Sequence, residues 1–264
     1  MTSEADTPIL ELSGVVKSFG TVRALRGADL TVRRNEVVAL VGDNGAGKST
    51  MIKVISGVIQ PDSGQIEVDG QPVTFASPLV PRRHGIETVY QDLALANDLD
   101  PAANLFLGRE VLRGGLLGRL GMLDKPQMRA KADEAFGRLG VGLQDTRSRV
   151  GTMSGGQRQG IAVARAVLWA SRLVLMDEPT AALGVVQTSR VRALIESVRE
   201  QGVSVLLVSH NLPFVFEVAD RIEVLRLGRR VAVFSRAEAT AEGVLGAMTG
   251  AAEAPAGAPA PGPE

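Results

Sequence analysis

Residues 42–50, Gly42-Asp43-Asn44-Gly45-Ala46-Gly47-Lys48-Ser49-Thr50, fit the spacing G-x-x-x-x-G-K-[ST], and no other stretch restricts the possible folds of this chain as tightly. Before it runs Glu36-Val37-Val38-Ala39-Leu40-Val41, a short apolar segment with the character of a buried strand. After it, Met51, Ile52, Val54 and Ile55 continue at helical spacing, and Gly57 is the expected stop. A glycine-rich turn between a buried strand and a helix is an anion cradle. Glycine lets the backbone curl so that successive N–H groups point inward, and the helix presents its positive end to the same place. Lys48 supplies a mobile positive charge for outer phosphates. The Ser49 hydroxyl suits Mg²⁺, a cation that takes oxygen ligands.

Composition bounds what surrounds this loop. The chain has 264 residues, 45% of them hydrophobic, enough for one large domain or two small ones. Lys plus Arg is 29 and Asp plus Glu is 29. That balance argues against broad electrostatic binding to nucleic acid, which calls for a basic surface. There is no cysteine, so disulfides and thiolate metal sites are excluded. The first eight residues are polar and acidic, unlike a secretory leader, and no apolar run approaches the roughly 20 residues that span a bilayer. The expectation is a protein with no membrane insertion of its own, held at a membrane only through a partner.

Along the chain, Ile9 to Val16 reads as a strand followed by a turn at Lys17-Ser18-Phe19-Gly20. Leu30-Thr31-Val32 reads as a second short strand, with Arg33-Arg34-Asn35 as the turn into the central one. Pro61-Asp62-Ser63-Gly64 is a turn, and Gln65 to Gly70 alternates like a half-buried strand. A small antiparallel sheet beside the nucleotide core is expected. From about 92 to 169 helical spacing takes over. Met128, Ala132, Ala135, Phe136 and Leu139 share one face of a helix from Lys125 to Leu139, while Gly114, Gly115, Gly118 and Gly121 suggest a flexible link. Arg172 to Met176 and Val203 to Ser209 return to buried-strand character around a crossover helix, Val185 to Glu200. Val224 to Leu227 and Val231 to Phe234 form a late hairpin around Gly228, and the Ala/Pro/Gly-rich tail, 251–264, is expected to be disordered.

Two further motifs carry chemistry. Leu173-Val174-Leu175-Met176 ends in Asp177-Glu178, and open α/β sheets bind ligands at such strand ends. Asp177 would hold Mg²⁺ through its water shell, and Glu178 would orient and deprotonate an attacking water. Ser154-Gly155-Gly156-Gln157 opens a helix about 20 residues earlier, a second anion-facing helix end. Gln91 lies upstream, and His210 follows an apolar strand.

With these residues in view, the chain resembles the ATP-binding cassette (ABC) ATPases over residues from about 9 to 247. The resemblance implies an α/β fold: a P-loop NTPase (RecA-like) core with an N-terminal antiparallel β subdomain and an α-helical subdomain, about 92–169, that carries the signature motif. It places the cassette domain at 1–250. It implies ATP and Mg²⁺ as ligands, with Gly42, Asn44, Gly45, Ala46, Gly47, Lys48, Ser49 and Thr50 on phosphate, and Ser49, Gln91 and Asp177 on the metal. Glu178, His210 and Gln91 carry the catalytic roles, and Phe19 stacks on adenine. Ser154, Gly155, Gly156 and Gln157 contact the γ-phosphate of ATP held by a second cassette, so a homodimer or another cassette is implied.

The run His84 to Leu95, then Asn104 to Glu110, together with Pro179-Thr180-Ala181-Ala182-Leu183-Gly184, looks like the importers of simple sugars of the ribose, xylose or fructose type. By that resemblance the chain energises a membrane permease from the cytoplasmic face of the cell membrane, with a sugar-binding protein as an indirect partner. The alternative is a soluble cassette acting on nucleic acid or ribosomes. The permease surface would lie around Tyr90 to Asn104, with Asp92, Leu93, Leu95 and Leu99 as candidates; the same leucines could equally be subdomain core. Two departures stand out. Gly184 occupies a position where many cassettes carry an aspartate, and the chain holds one cassette where many simple-sugar importers fuse two.

Overall fold

The computed structural model describes residues 7–143, 145–181 and 184–251; the expected disorder of the tail falls, apart from Ala251, outside the described residues. Two sheets flank one helix. The first is antiparallel, with order β2-β1-β4-β5: β1 is Leu10–Phe19, β2 Val22–Val32, β4 Ser63–Val68 and β5 Gln71–Pro72. The second contains β3 (Val37–Val41), β6 (Ile86–Val89), β7 (Leu173–Asp177), β8 (Ser204–Val208), β9 (Arg221–Arg226) and β10 (Arg229–Ser235), in the order β10-β9-β3-β8-β7-β6. Every pairing in it is parallel except the β9–β10 hairpin.

The helices are α1 (Lys48–Ile55), α2 (Leu79–Arg83), α3 (Pro101–Phe106), α4 (Gly115–Arg119), α5 (Lys125–Arg138), α6 (Gly155–Trp169), α7 (Val185–Glu200), α8 (Leu212–Val218) and α9 (Ala241–Thr249). α3 to α6 fall between β6 and β7, and α3, α5 and α6 pack on one another.

The central parallel strands β3, β7 and β8 are apolar along most of their length because both faces are covered. Val38, Leu40, Leu173, Leu175, Leu206 and Val208 point to a core shared with α1 and the antiparallel sheet. Their neighbours Val37, Ala39, Val174, Met176, Val205 and Leu207 point to a second core under the helices. The two-residue period of a strand thus divides each one between two cores.

α1 stops where expected. Val58 N–H donates to Lys53 O at 2.9 Å and Gly57 N–H to Val54 O at 3.1 Å, with Gly57 at φ 70°. These bonds form a Schellman cap, and a Cβ at residue 57 would lie 2.5 Å from Ser77 O.

Several expectations are corrected. The turn at residues 17–20 does not form: β1 continues to Phe19, Gly20 and Thr21 make the turn, and β2 has 11 residues rather than the three read from Leu30 to Val32. The register of β1 on β2 shifts after Leu12, Val15 and Lys17. Each bulge moves the side-chain alternation to the other face, so a period-2 pattern fades although the pairing persists. β6 carries no turn-bounded alternation and was not anticipated. The glycine-rich link is a folded excursion, in which Leu112 bridges Leu123 and α4 forms the tip. The late hairpin exists, and β9 also pairs in parallel with β3, bringing it into the main sheet.

Buried charges tie the two sheets together: Arg221 on β9 donates to Thr31 O on β2, and Thr31 N–H donates to Glu223. Glu223 on β9 is fully buried and pairs with Arg221 and Arg230; Arg221 also reaches Glu36 at 2.7 Å. Its neighbours Glu36 and Glu223 raise the Arg221 pKa against the opposing effect of burial. Breaking one partner of such a group strands a charge.

Candidate functional site

The parallel register aligns the carboxyl ends of β3, β6, β7 and β8 along one edge of the sheet. Each strand delivers one functional segment there: the glycine loop after Val41, Gln91 after Val89, Asp177-Glu178 at the end of β7, and His210 after Val208. A cavity of about 500 Å³ opens at that edge, and its lining brings together Asn44, Gly45, Gly47, Lys48, Ser49, Thr50, Gln91, Glu178 and His210.

The loop needs its glycines. Gly47 caps α1 at φ 107°, ψ 2°, and a Cβ there would stand 2.7 Å from Ala24 O and 2.9 Å from Leu25 Cδ2. A Cβ at Gly42 would stand 2.2 Å from Leu225 O. Ala46 is turned into the structure: its N–H donates to Asp43 O and its carbonyl accepts from Gly228 N–H. Gly42, Ala46 and Asp177 are not among the cavity-lining residues; Gly42 and Ala46 shape the loop.

Lys48 is buried, and its Nζ donates to Gly42 O at 2.6 Å and Asp43 O at 3.0 Å. Burial pushes its pKa down, opposed by the carboxylates of Glu178, Asp43 and Asp177. Asp177 is pushed up, first by burial and then by the adjacent Glu178, with Lys48 and Lys53 opposing. Its Oδ1 is buried without a hydrogen-bond partner. An acceptor-only oxygen left unpaired beside the Ser49 loop fits a hydrated Mg²⁺. Among the described residues there is no cluster of three or more His, Asp or Glu side chains able to hold a metal alone.

Glu178 sits at φ 50°, a left-handed conformation unusual for a residue with a side chain. Its N–H donates to Val208 O at 2.9 Å, anchoring it across to β8. Its Oε1 lies 2.9 Å from His210 Nδ1, and Oε2 accepts from His210 N–H at 3.4 Å. The carboxylate is largely buried while the imidazole is exposed, and both line the cavity.

The remaining expected residues stand apart. Phe19 is exposed at the end of β1, under Lys17 Nζ at 5.8 Å, and is not part of the cavity wall. Its cross-strand partner Val22, with Arg23 and Ala24, does line the mouth. Sequence reading missed these three. The only signal was their position three to five residues beyond Phe19, across a tight turn. Ser154, Gly155, Gly156 and Gln157 are also absent from the lining. Ser154 caps α6: its Oγ accepts from Gln157 N–H at 3.3 Å, and Gln157 Oε1 accepts from Ser154 N–H at 3.0 Å. Gln157 thereby spends its amide oxygen on the cap, while Ser154 and Gly155 are exposed.

A second groove of about 300 Å³ runs between β6 and the ends of α3 and α6. Glu87, buried in its floor, pairs with Arg109 at 2.6 Å, and the Arg109 guanidinium lies 4.9 Å from the Trp169 ring centroid. Arg165 donates to Ala94 O at 2.7 Å and Leu93 O at 2.9 Å, fixing two consecutive left-handed residues. Leu93 and Leu95 pack partly buried against the core, and Asp92 is exposed.

Comparison with known proteins agrees with this geometry. The family described as "ABC transporter" matches residues 25–181. The chain is 49% identical to a fructose import ATP-binding protein of Rhizobium meliloti, covering 95% of this chain and 97% of that one. It is 44% identical to a xylose/arabinose import ATP-binding protein of Sulfolobus acidocaldarius, covering 91% and 94%. Among solved structures it is similar to a nucleotide-free ATP-binding cassette from an ABC transporter. The TM-score is 0.73 at 25% identity, covering 86% of this chain and 91% of that one. A dimeric post-hydrolysis cassette bound to ADP and Pi shares the fold, with a TM-score of 0.72 at 24% identity over 86% and 98% of the two chains.

Proposed function

The chain belongs to the ABC transporter family as an ATP-binding cassette, and on that premise we propose that it is the ATP-hydrolysing subunit of an importer of a simple sugar. The observation that carries the reading is the convergence of the Lys48 loop, Gln91, Glu178 and His210 on one cavity. The sugar class rests on relatives named for import of fructose and xylose/arabinose, matched along nearly the whole chain.

The loop amides and Lys48 bind the triphosphate of ATP. Lys48 exchanges its two loop carbonyls for phosphate oxygens, a trade that favours the charged lysine because it is buried. Ser49 and Asp177, with Gln91, would hold Mg²⁺, which would supply positive charge to offset the phosphates. Glu178 accepts the proton of the water that attacks the γ-phosphorus as the bond to ADP breaks. His210 keeps the carboxylate aimed into the cavity. Val22 at the cavity mouth and its cross-strand partner Phe19, exposed just outside the cavity wall, are the surface for adenine.

The Ser154 turn is exposed and outside its own chain's cavity, which favours a head-to-tail pair in which it closes over the partner's ATP. The groove beside Glu87 and Arg109 seats a cytoplasmic segment of the permease. Among the described residues no helix is long and apolar enough to cross a membrane.

The test is Glu178→Gln. Removing a general base costs about 10²- to 10⁴-fold in rate. The variant is expected to bind ATP, pair more stably in its presence, and abolish uptake of labelled fructose, ribose or xylose in cells that depend on this chain. Turnover within a few-fold of wild type would reject the assignment.

A further inference from the structure

The excursion between α3 and α5 exposes apolar surface that no core uses. Leu112, Leu116, Leu117, Leu120, Met122 and Leu123 are all exposed, Leu116 and Leu120 at 72% and 71%. The backbone that carries them is folded. Arg113 N–H donates to Met122 O at 2.9 Å, Asp124 N–H to Val111 O at 2.7 Å, and Met122 N–H to Leu117 O at 3.1 Å. α4, at the tip, buries none of its residues. Single exposed leucines are ordinary on protein surfaces, whereas six apolar side chains within twelve residues form a patch. Gly114, Gly115, Gly118 and Gly121 fill the gaps, leaving Arg113 and Arg119 as the only long polar side chains from residue 111 to 123.

Charge identifies what covers the patch. From Val111 to Leu123 the segment holds two exposed arginines, Arg113 and Arg119, and no acidic residue, in a chain whose positive and negative side chains balance at 29 each. Exposed leucines rimmed by arginines match the surface of an anionic bilayer, where the apolar tips enter the headgroup boundary and the guanidinium groups meet lipid phosphates. At 13 residues with a helix of five, the segment is too short to span a bilayer, which takes about 20. It leaves the body just after Leu107 and Arg109, which line the groove beside Glu87, so it extends from that end of the molecule.

We propose that residues 111–123 are a membrane foot that seats on anionic lipid headgroups; its placement beside a permease rests on the transporter reading, but its lipid chemistry does not. The experiment is flotation of the full chain with vesicles of phosphatidylcholine mixed with phosphatidylglycerol, and with vesicles of phosphatidylcholine alone. The wild type is expected to float with the mixed vesicles and far less with the neutral ones. An arginine at an anionic surface contributes about fivefold, so Arg113→Glu with Arg119→Glu should weaken binding by at least about 25-fold. Leu116→Ser, Leu117→Ser and Leu120→Ser together should abolish flotation. Both variants should keep wild-type melting and ATP turnover in solution.

No flotation of wild type with mixed vesicles, or equal flotation by both variants, overturns the foot. So does a leucine variant that changes the protein's oligomeric state on gel filtration, which would make the patch a contact between copies. Turnover measured on the same preparations reads the ATPase separately, so an active chain that ignores vesicles loses the foot and keeps the proposed function.

Discussion

Gly47→Ala puts the geometry of the phosphate loop to its most direct test. Two costs can be read from the structure. At φ 107° an alanine is held outside the regions open to L-residues, roughly 1–3 kcal/mol. Its Cβ would also stand 2.7 Å from Ala24 O, on the backbone of β2, and 2.9 Å from Leu25 Cδ2. Leu25 is fully buried, so neither neighbour can move without disturbing the core between the sheets; such overpacking costs about 1–3 kcal/mol. The sum is about 2–6 kcal/mol. At about 2–4 °C per kcal/mol for a chain of this size, melting should fall by at least about 4 °C.

Gly45→Ala is the control. Gly45 has φ 81° but open space around its missing Cβ, so only the backbone cost applies. The gap between the two variants isolates the collision with β2. Thermal melting by circular dichroism reads stability, and calorimetry with ATP reads the cradle. Gly47→Ala should melt below Gly45→Ala and lose ATP binding. If the two melt together, or if Gly47→Ala keeps wild-type affinity, the close approach of β2 to the loop is wrong.

Lys48→Ala removes a charged donor, and hydrogen bonds to charged groups contribute about 1.5–3 kcal/mol; ATP affinity should fall by roughly 10- to 100-fold, and unchanged calorimetric binding would contradict the loop reading. Asp177→Asn should raise the melting temperature without nucleotide at neutral pH. Burial and Glu178 lift the Asp177 pKa above its ordinary value, so its contribution to stability is fully present below the ordinary carboxylate range and is lost as pH rises through the raised value. The advantage of the variant should therefore close on acidification, and should reverse with Mg²⁺ and ATP present; a melting temperature below wild type at pH 7 without nucleotide would count against this account. Gly184→Asp should be nearly neutral for stability. Gly184 caps α7 at φ −77°, which any residue adopts, and the new Cβ would meet only the movable Oε1 of Gln187 at 2.9 Å. A melting drop of more than about 5 °C, over 1 kcal/mol, would refute that.

The sequence alone was enough for the parts of this protein whose physics is local. A strand, a glycine loop and a helix in direct succession determine a phosphate cradle, because spacing and residue type fix the backbone path. The fully apolar runs at Val37 to Val41, Leu173 to Met176 and Val205 to Val208 announced strands covered on both faces. The helix stop at Gly57, formed as a Schellman cap, followed from the same short-range chemistry.

What only the tertiary structure decided depends on residues far apart in the chain. Strand order put Glu178 against His210, 32 residues later, and put Val22, Arg23 and Ala24 at the cavity mouth. The bulges in the β1–β2 pairing erased the alternation that would have revealed β2, and the pairing of β9 with β3 left no periodic trace. The burial that sets the ionisation of Lys48 and Asp177 is likewise a property of packing, because desolvation comes from neighbours that no local pattern names.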